Sequence, residues 1–172
     1  MTPWIDIASA EVGVHELSPG DSARIMEYLS TVDTSAIGEL TDEVSWCSAF
    51  VNWVMLQAGY AGTDSAAARS WLAWGTPISG PRVGAIAVLK RGTQSWQGHV
   101  GFVTGYDSSY IYILGGNQRN EVNVSIYQRS RVIGYRWPKE QRTETNSRVG
   151  RMIPIEPPPD PVRRWWQFWR SR

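Results

Sequence analysis

Apolar residues in the first half of the chain recur at three- and four-residue spacing, and in the second half they fall in β-branched and aromatic runs separated by turn residues. From Pro3 to Val12 the apolar positions Ile5, Ile7, Ala8 and Val12 predict a short helix with Pro3 and Asp6 in its first turn. Ile25, Met26 and Leu29 predict a second helix over Ser22 to Ser30, with Asp21 or Ser22 at its start. After a loop through Asp33 to Glu43, the most regular pattern runs from Trp46 to Ala58. It has Ser45 as candidate N-cap, Phe50 and Val54 four apart, and Gly59 as the stop. Ser65 to Trp74 is rich in helix formers and breaks at Gly75 and Pro77, which predicts a further short helix. From Val83 onward β-branched and aromatic runs separated by turn residues predict strands at Val83 to Leu89, His99 to Tyr106, Tyr110 to Leu114 and Val122 to Tyr127. A fifth strand is expected at Val132 to Trp137 and a hairpin turn at Asp107 to Ser109. Helices first and strands second predict an α+β domain in which N-terminal helices pack on an antiparallel sheet.

Beyond Pro138 this patterning stops. The expected organisation is a domain over residues 1–138, a polar and Pro-rich linker over 139–161, and a short tail over 162–172. The charge divides at the same place: residues 1–138 hold nine Lys or Arg against twelve Asp or Glu, whereas residues 139–172 hold eight against four. The overall +1 therefore conceals an acidic domain and a basic tail. No positively charged segment followed by an apolar run opens the chain, and no stretch reaches the roughly 18 apolar residues of a membrane span. The expectation is synthesis in the cytoplasm without a signal peptide.

The single cysteine excludes an intrachain disulfide and a multi-cysteine metal site, and no Cys/His cluster has ligand spacing, so neither metal nor cofactor is expected. A lone cysteine can be a buried apolar filler. Cys47, however, falls at the start of a predicted helix, where unpaired N–H groups and the positive end of the helix dipole favour a thiolate. Asp42 and Glu43 oppose that effect, so the sequence leaves the net shift open. A thiolate nucleophile needs a base, and there are two histidines. His15 lies in a polar stretch with no element to hold it, while His99 stands at the start of a predicted strand between small glycines. His99 is the better candidate base, with a structural strand histidine as the alternative. Asn117, in Gly115-Gly116-Asn117-Gln118 after the neighbouring strand, could accept the second ring N–H, or could be a plain turn asparagine.

These residues occur in the order Ser45-Trp46-Cys47-Ser48-Ala49-Phe50-Val51-Asn52-Trp53, Ala67-Ala68-Arg69-Ser70-Trp71-Leu72, Gly98-His99-Val100-Gly101-Phe102-Val103 and Gly115-Gly116-Asn117-Gln118. In that order they resemble the CHAP and NlpC/P60 cysteine hydrolases, and in particular a small CHAP-like family of phage and bacterial cell-wall hydrolases. The resemblance covers roughly Trp4 to Pro138. It implies a papain-like core in which the cysteine-bearing helix packs on the antiparallel sheet that carries the histidine. It also implies attack on an amide of the peptidoglycan peptide by Cys47 as nucleophile, His99 as base and later acid, and Asn117 as the orienting residue. Gly84-Ala85 departs from the Gly-Asp of many relatives, which removes whatever positioning that aspartate provides. Trp46, Trp71, Trp74, Trp96 and Gln118 are candidate substrate-binding residues, with core filling as the alternative for the tryptophans. Arg69 could meet a substrate carboxylate through its planar fork.

The last segment, VRRWWQFWRSR, combines Arg163, Arg164 and Arg170 with Trp165, Trp166, Phe168 and Trp169 and contains no acid. That composition suits an anionic membrane or lipopolysaccharide surface, on which so short a segment would become ordered. Nucleic acid is not an expected partner, since the domain itself is acidic. The expected protein is a monomeric endolysin that acts on peptidoglycan in the periplasm or cell wall after release. The alternatives are a delivered antibacterial toxin with the same chemistry and a non-catalytic membrane-active or wall-binding module.

Overall fold

The computed structural model of the chain describes residues 2–35, 41–42 and 44–139. Its first helix, α1 (Pro3–Ala10), begins with proline at a position where the missing N–H costs nothing. It is anchored by Trp4, whose indole Nε1 donates to the Gly84 carbonyl at 2.8 Å. α2 (Ala23–Leu29) buries Ile25, Tyr28 and Leu29, and α3 (Cys47–Gln57) is buried along nearly all of its length, from Cys47 to Met55. The N-cap position of α3 is Trp46 rather than the expected Ser45, and there is no side-chain cap. The stretch expected to be a helix over Ser65 to Trp74 is a shorter 3₁₀ turn, Ala68–Ala73. Trp71 and Trp74 stack edge to face there at 5.0 Å, and packing against the sheet has overridden the α-helical preference of the alanines.

Six strands follow: β1 (Thr76–Ile78), β2 (Ile86–Lys90), β3 (Gly98–Tyr106), β4 (Tyr110–Gly115), β5 (Asn123–Gln128) and β6 (Val132–Trp137). They form one sheet in the order β1-β6-β2-β3-β4-β5, with antiparallel neighbours throughout. The five expected strands are present within a few residues. β1 was not foreseen, because three residues containing a proline carry no alternation, and it exists only through its register on β6, Pro77 opposite Arg136.

Alternation along β2, β3 and β4 sends their buried side chains to one of two cores. Ile86, Val88, Val100, Phe102 and Leu114 face the helices and pack with Trp4, Ile25, Tyr28, Phe50, Val54 and Trp71. Ala85, Ala87, Leu89, Val103, Ile111 and Ile113 make a second apolar cluster on the other side. Ala85 is fully buried in that cluster, where an aspartate would place a carboxylate among apolar groups. The cysteine-bearing helix thus packs on the sheet that carries His99, the α+β, papain-like arrangement that the resemblance implies. The described residues lie in one compact unit, Met1–Gln141, and the expected Pro-rich linker beyond Lys139 and the tail over 162–172 lie outside them.

Gly116 joins the two halves of the domain. A Cβ added there would stand 2.4 Å from Cζ3 of Trp46 and 2.8 Å from Cβ of Phe50, both fully buried. Only a glycine lets the chain after β4 pass so close to α3. Gly116→Ala is therefore expected to destabilise the domain by about 2 kcal/mol or more, read as a lower urea midpoint. An unchanged midpoint would show that Trp46 has room to move.

Candidate active site

Cys47 opens α3 at the floor of a cleft and is 1% exposed. The Ser45 hydroxyl lies 4.0 Å from its sulfur, and the backbone N–H groups of Val100 and Ser48 also face it. Burial raises the thiol pKa above its ordinary value, and these donors with the Arg91 charge only partly offset that. The helix start does supply favourable N–H groups, but removal from water outweighs them.

His99 lies on β3 opposite Leu89 of β2, one residue from the Val100 N–H that faces the sulfur. It is 3% exposed, and burial lowers its pKa to about 4, against a hydrogen bond to Gln118 that favours the charged form. At neutral pH the resting pair is a thiol and a neutral imidazole.

The partner of that imidazole is Gln118, not Asn117. His99 Nε2 lies 3.1 Å from Gln118 Oε1, and the Tyr127 hydroxyl donates to the same oxygen at 2.8 Å. The Gln118 Nε2 group is committed to acceptors: the carbonyls of Asn123 at 2.6 Å, Ile113 at 3.1 Å and Gly115 at 3.3 Å, and Asn123 Oδ1 at 3.1 Å. With all acceptors on that side, the amide can only present its oxygen to His99. The ring must then carry its proton on Nε2, which leaves Nδ1 with the free lone pair. Gln118, expected to touch substrate, is 4% exposed and orients the histidine. Asn117 has φ +55°, as Arg119 (+59°) and Asn120 (+63°) also do, and this left-handed turn directs Asn117 to the cleft and Gln118 inward.

Three adjoining cavities surround these residues. One of about 480 Å³ is lined by Cys47, Ala66, Ala67, Ala68, Trp96 and Gly98 among others. A second, about 330 Å³, lies between Glu16, Ser45, Arg91, Asn117 and Asn120. A third, about 140 Å³, reaches His99 beside Arg91, Arg119 and Arg131. Trp96, 73% exposed, lines the first of these cavities. Trp46 and Trp71 do not, because both are fully buried. The Trp46 indole donates to Glu16 Oε1 at 2.9 Å and that of Trp71 to Ser48 Oγ at 3.0 Å, so both tryptophans are core residues. Trp74 donates to the Ala61 carbonyl, away from these cavities. Arg69 Nε donates to the Gln97 carbonyl at 2.8 Å and braces the chain just before β3.

His15 is exposed, with its ring nitrogen on the Gly13 carbonyl. Its segment pairs with the turn after β4, Glu16 N–H donating to the Asn120 carbonyl, and this carries Glu16 to the cleft. Glu16 and Arg91 escaped sequence reasoning, since no periodicity or motif marks either. Among the described residues no group of three or more His, Cys, Asp or Glu side chains could hold a metal.

Residues 40–117 match the family model of the CHAP domain. Among solved structures the chain is similar to a lipoprotein-like member of the NLP/P60 family from Staphylococcus aureus subsp. aureus Mu50, with 15% identity and a TM-score of 0.46. That match covers 80% of this chain and 41% of the other. It is also similar to Ly7917, with 20% identity and a TM-score of 0.36 over 64% of this chain and 61% of that one. Ly7917 with the hydrolyzing product of MDP gives 22%, 0.38 and the same coverage. The chain thus spans less than half of the first structure and about three fifths of the second. No curated protein matches it.

The buried imidazole has a consequence for stability. In the unfolded chain His99 takes up a proton near pH 6.5, in the folded chain only near pH 4. Above pH 6.5 neither state is protonated; between the two values only the unfolded state is, so stability falls as pH drops through this window and levels off below it. The loss attributable to His99 is up to about 3 kcal/mol. Urea titrations from pH 7.5 to 4 should show this slope, and His99→Gln should remove it. A His99 ring that titrates near 6.5 by NMR would contradict the burial.

Proposed function

We propose that the CHAP/NlpC-P60-like domain carried by this chain is a peptidoglycan hydrolase that cleaves an amide of the wall peptide, with Cys47 as nucleophile and His99 as base. The observation that supports it most is the fixed tautomer of His99: a neutral ring with its lone pair on Nδ1, held by Gln118 beside the helix start that bears the only cysteine. In the first step the thiol proton passes to Nδ1 while sulfur attacks the substrate carbonyl carbon. The tetrahedral oxyanion is stabilised by N–H donors around the helix start. The C–N bond then breaks, the imidazolium gives its proton to the departing amine, and a thioester remains. Water, deprotonated by the same ring, attacks the thioester and releases the carboxylic acid and the thiol. Gln118 takes the orienting part first assigned to Asn117, as the acceptor of the Nε2 proton.

The basic aromatic segment over 162–172 supports a role as an endolysin that reaches the wall from inside the cell and meets an anionic membrane surface. A delivered toxin with the same chemistry would share the domain's products but not require that contact.

Purified peptidoglycan incubated with wild type should release soluble fragments whose masses name the cleaved amide, and Cys47→Ala should release none. Equal release by both proteins would rule out Cys47 as nucleophile. Gln118→Leu should lower kcat by roughly 10- to 100-fold with KM nearly unchanged, because it frees the ring without touching substrate. A loss confined to KM would return Gln118 to the substrate.

A further inference from the structure

Arg91 lies just beyond the end of β2 and lines all three cavities around Cys47 and His99. Among the described residues it forms neither an ion pair nor a hydrogen bond with a side chain. Glu16 borders the cavity of about 330 Å³ together with Arg91, and the two do not close on each other as an ion pair. Glu16 is held in place instead by the Trp46 indole on Oε1, in a segment fixed by its backbone bond to Asn120. The amides of Asn117 and Asn120 and the Ser45 hydroxyl, groups able to donate or accept, line the same cavity. An acid and a guanidinium that line one space of that size without pairing, together with neutral polar groups, fit a ligand that carries both charges on one carbon.

We propose that the cavity between Glu16 and Arg91 is a specificity subsite for a zwitterionic amino-acid end, its ammonium toward Glu16 and its carboxylate toward Arg91. On a peptidoglycan stem that group is the free end of a diaminodicarboxylic residue such as diaminopimelate. A lysine in its place offers the ammonium alone, and an amidated diaminopimelate has lost the carboxylate charge. This rests on the hydrolase reading above. It assigns to Arg91 the carboxylate recognition that the sequence suggested for Arg69, and it adds Glu16. Ser45 borders both this cavity and the one that contains Cys47, so a stem seated here continues directly to the sulfur.

The test uses soluble stem peptides with diaminopimelate, amidated diaminopimelate or lysine at the same position, and the full chain as wild type, Arg91→Gln and Glu16→Gln. Wild type should favour diaminopimelate by roughly tenfold in kcat/KM, with the difference in KM. Arg91→Gln should collapse that preference, and Glu16→Gln, which keeps an acceptor for Trp46, should weaken the diaminopimelate and lysine stems alike. Equal kcat/KM for the three stems with wild type, or a uniform loss on all three with Arg91→Gln, would overturn the subsite. Calorimetric Kd values for the same stems on Cys47→Ala, with and without Arg91→Gln, separate this from the chemistry. If wild type cuts none of the stems, the hydrolase reading fails. A Kd preference for diaminopimelate that Arg91→Gln removes would then still uphold the subsite, and equal Kd values would overturn it.

Discussion

The site depends on one glutamine amide. Gln118 Nε2 is surrounded by the acceptors of Ile113, Gly115 and Asn123, so its oxygen must point the other way, where it receives the Tyr127 hydroxyl and the His99 ring. A buried amide rotated by half a turn would set N–H against N–H and leave carbonyls unpaired, at a cost of several hydrogen bonds. The β4–β5 connection thereby determines which histidine nitrogen holds a proton. The sheet register is part of the same constraint, since Gly115 opposite Asn123 brings the acceptors together.

Cys47 has the address that favours a thiolate, yet burial leaves it a thiol at rest. The two effects act on different scales. Helix-start N–H groups contribute a fraction of the stabilisation that bulk water gives an ion, so a sulfur sealed from water loses more than it gains. The same sealing lowers the His99 pKa, so both groups prefer to be neutral. Proton transfer between them creates two charges at once in a site of low dielectric, where each stabilises the other far more than it would in water. In the proposed reaction, transfer and attack therefore belong to one step, and no thiolate waits in the free enzyme.

Much of this was legible in the sequence, and the failures have physical causes. The three helices and five longer strands were visible because helical spacing of apolar residues marks the former and β-branched or aromatic runs bounded by turn residues mark the latter. Cys47 and His99 were recognisable since both stand at the first residues of such elements. Gln118 rather than Asn117 reaches His99 because the residues after β4 take left-handed backbone angles, which no periodicity describes and which reverse the sense in which successive side chains point. Trp46 and Trp71 were offered to the substrate because tryptophan suits a sugar-binding groove, but each found a buried acceptor for its indole N–H, Glu16 and Ser48, and so could fill the core. Glu16 and Arg91 were missed because they come together only through long-range pairing, the segment before Ser18 on the turn after β4 and the end of β2 on the same rim.

The Trp46–Glu16 bond ties that rim to the core. Trp46 packs tilted against Tyr28 and sits beneath Gly116, so it is held from the α2 side and from the turn that carries Gln118. Its one polar atom reaches outward to Glu16. A change of packing beneath Gly116 would therefore shift the carboxylate on the rim and the amide that orients His99 together, because both rest on the same indole. Reacting groups at the floor of the cleft and charged groups on its edge are positioned by a single buried side chain, which explains why a residue beside the nucleophile is core rather than contact.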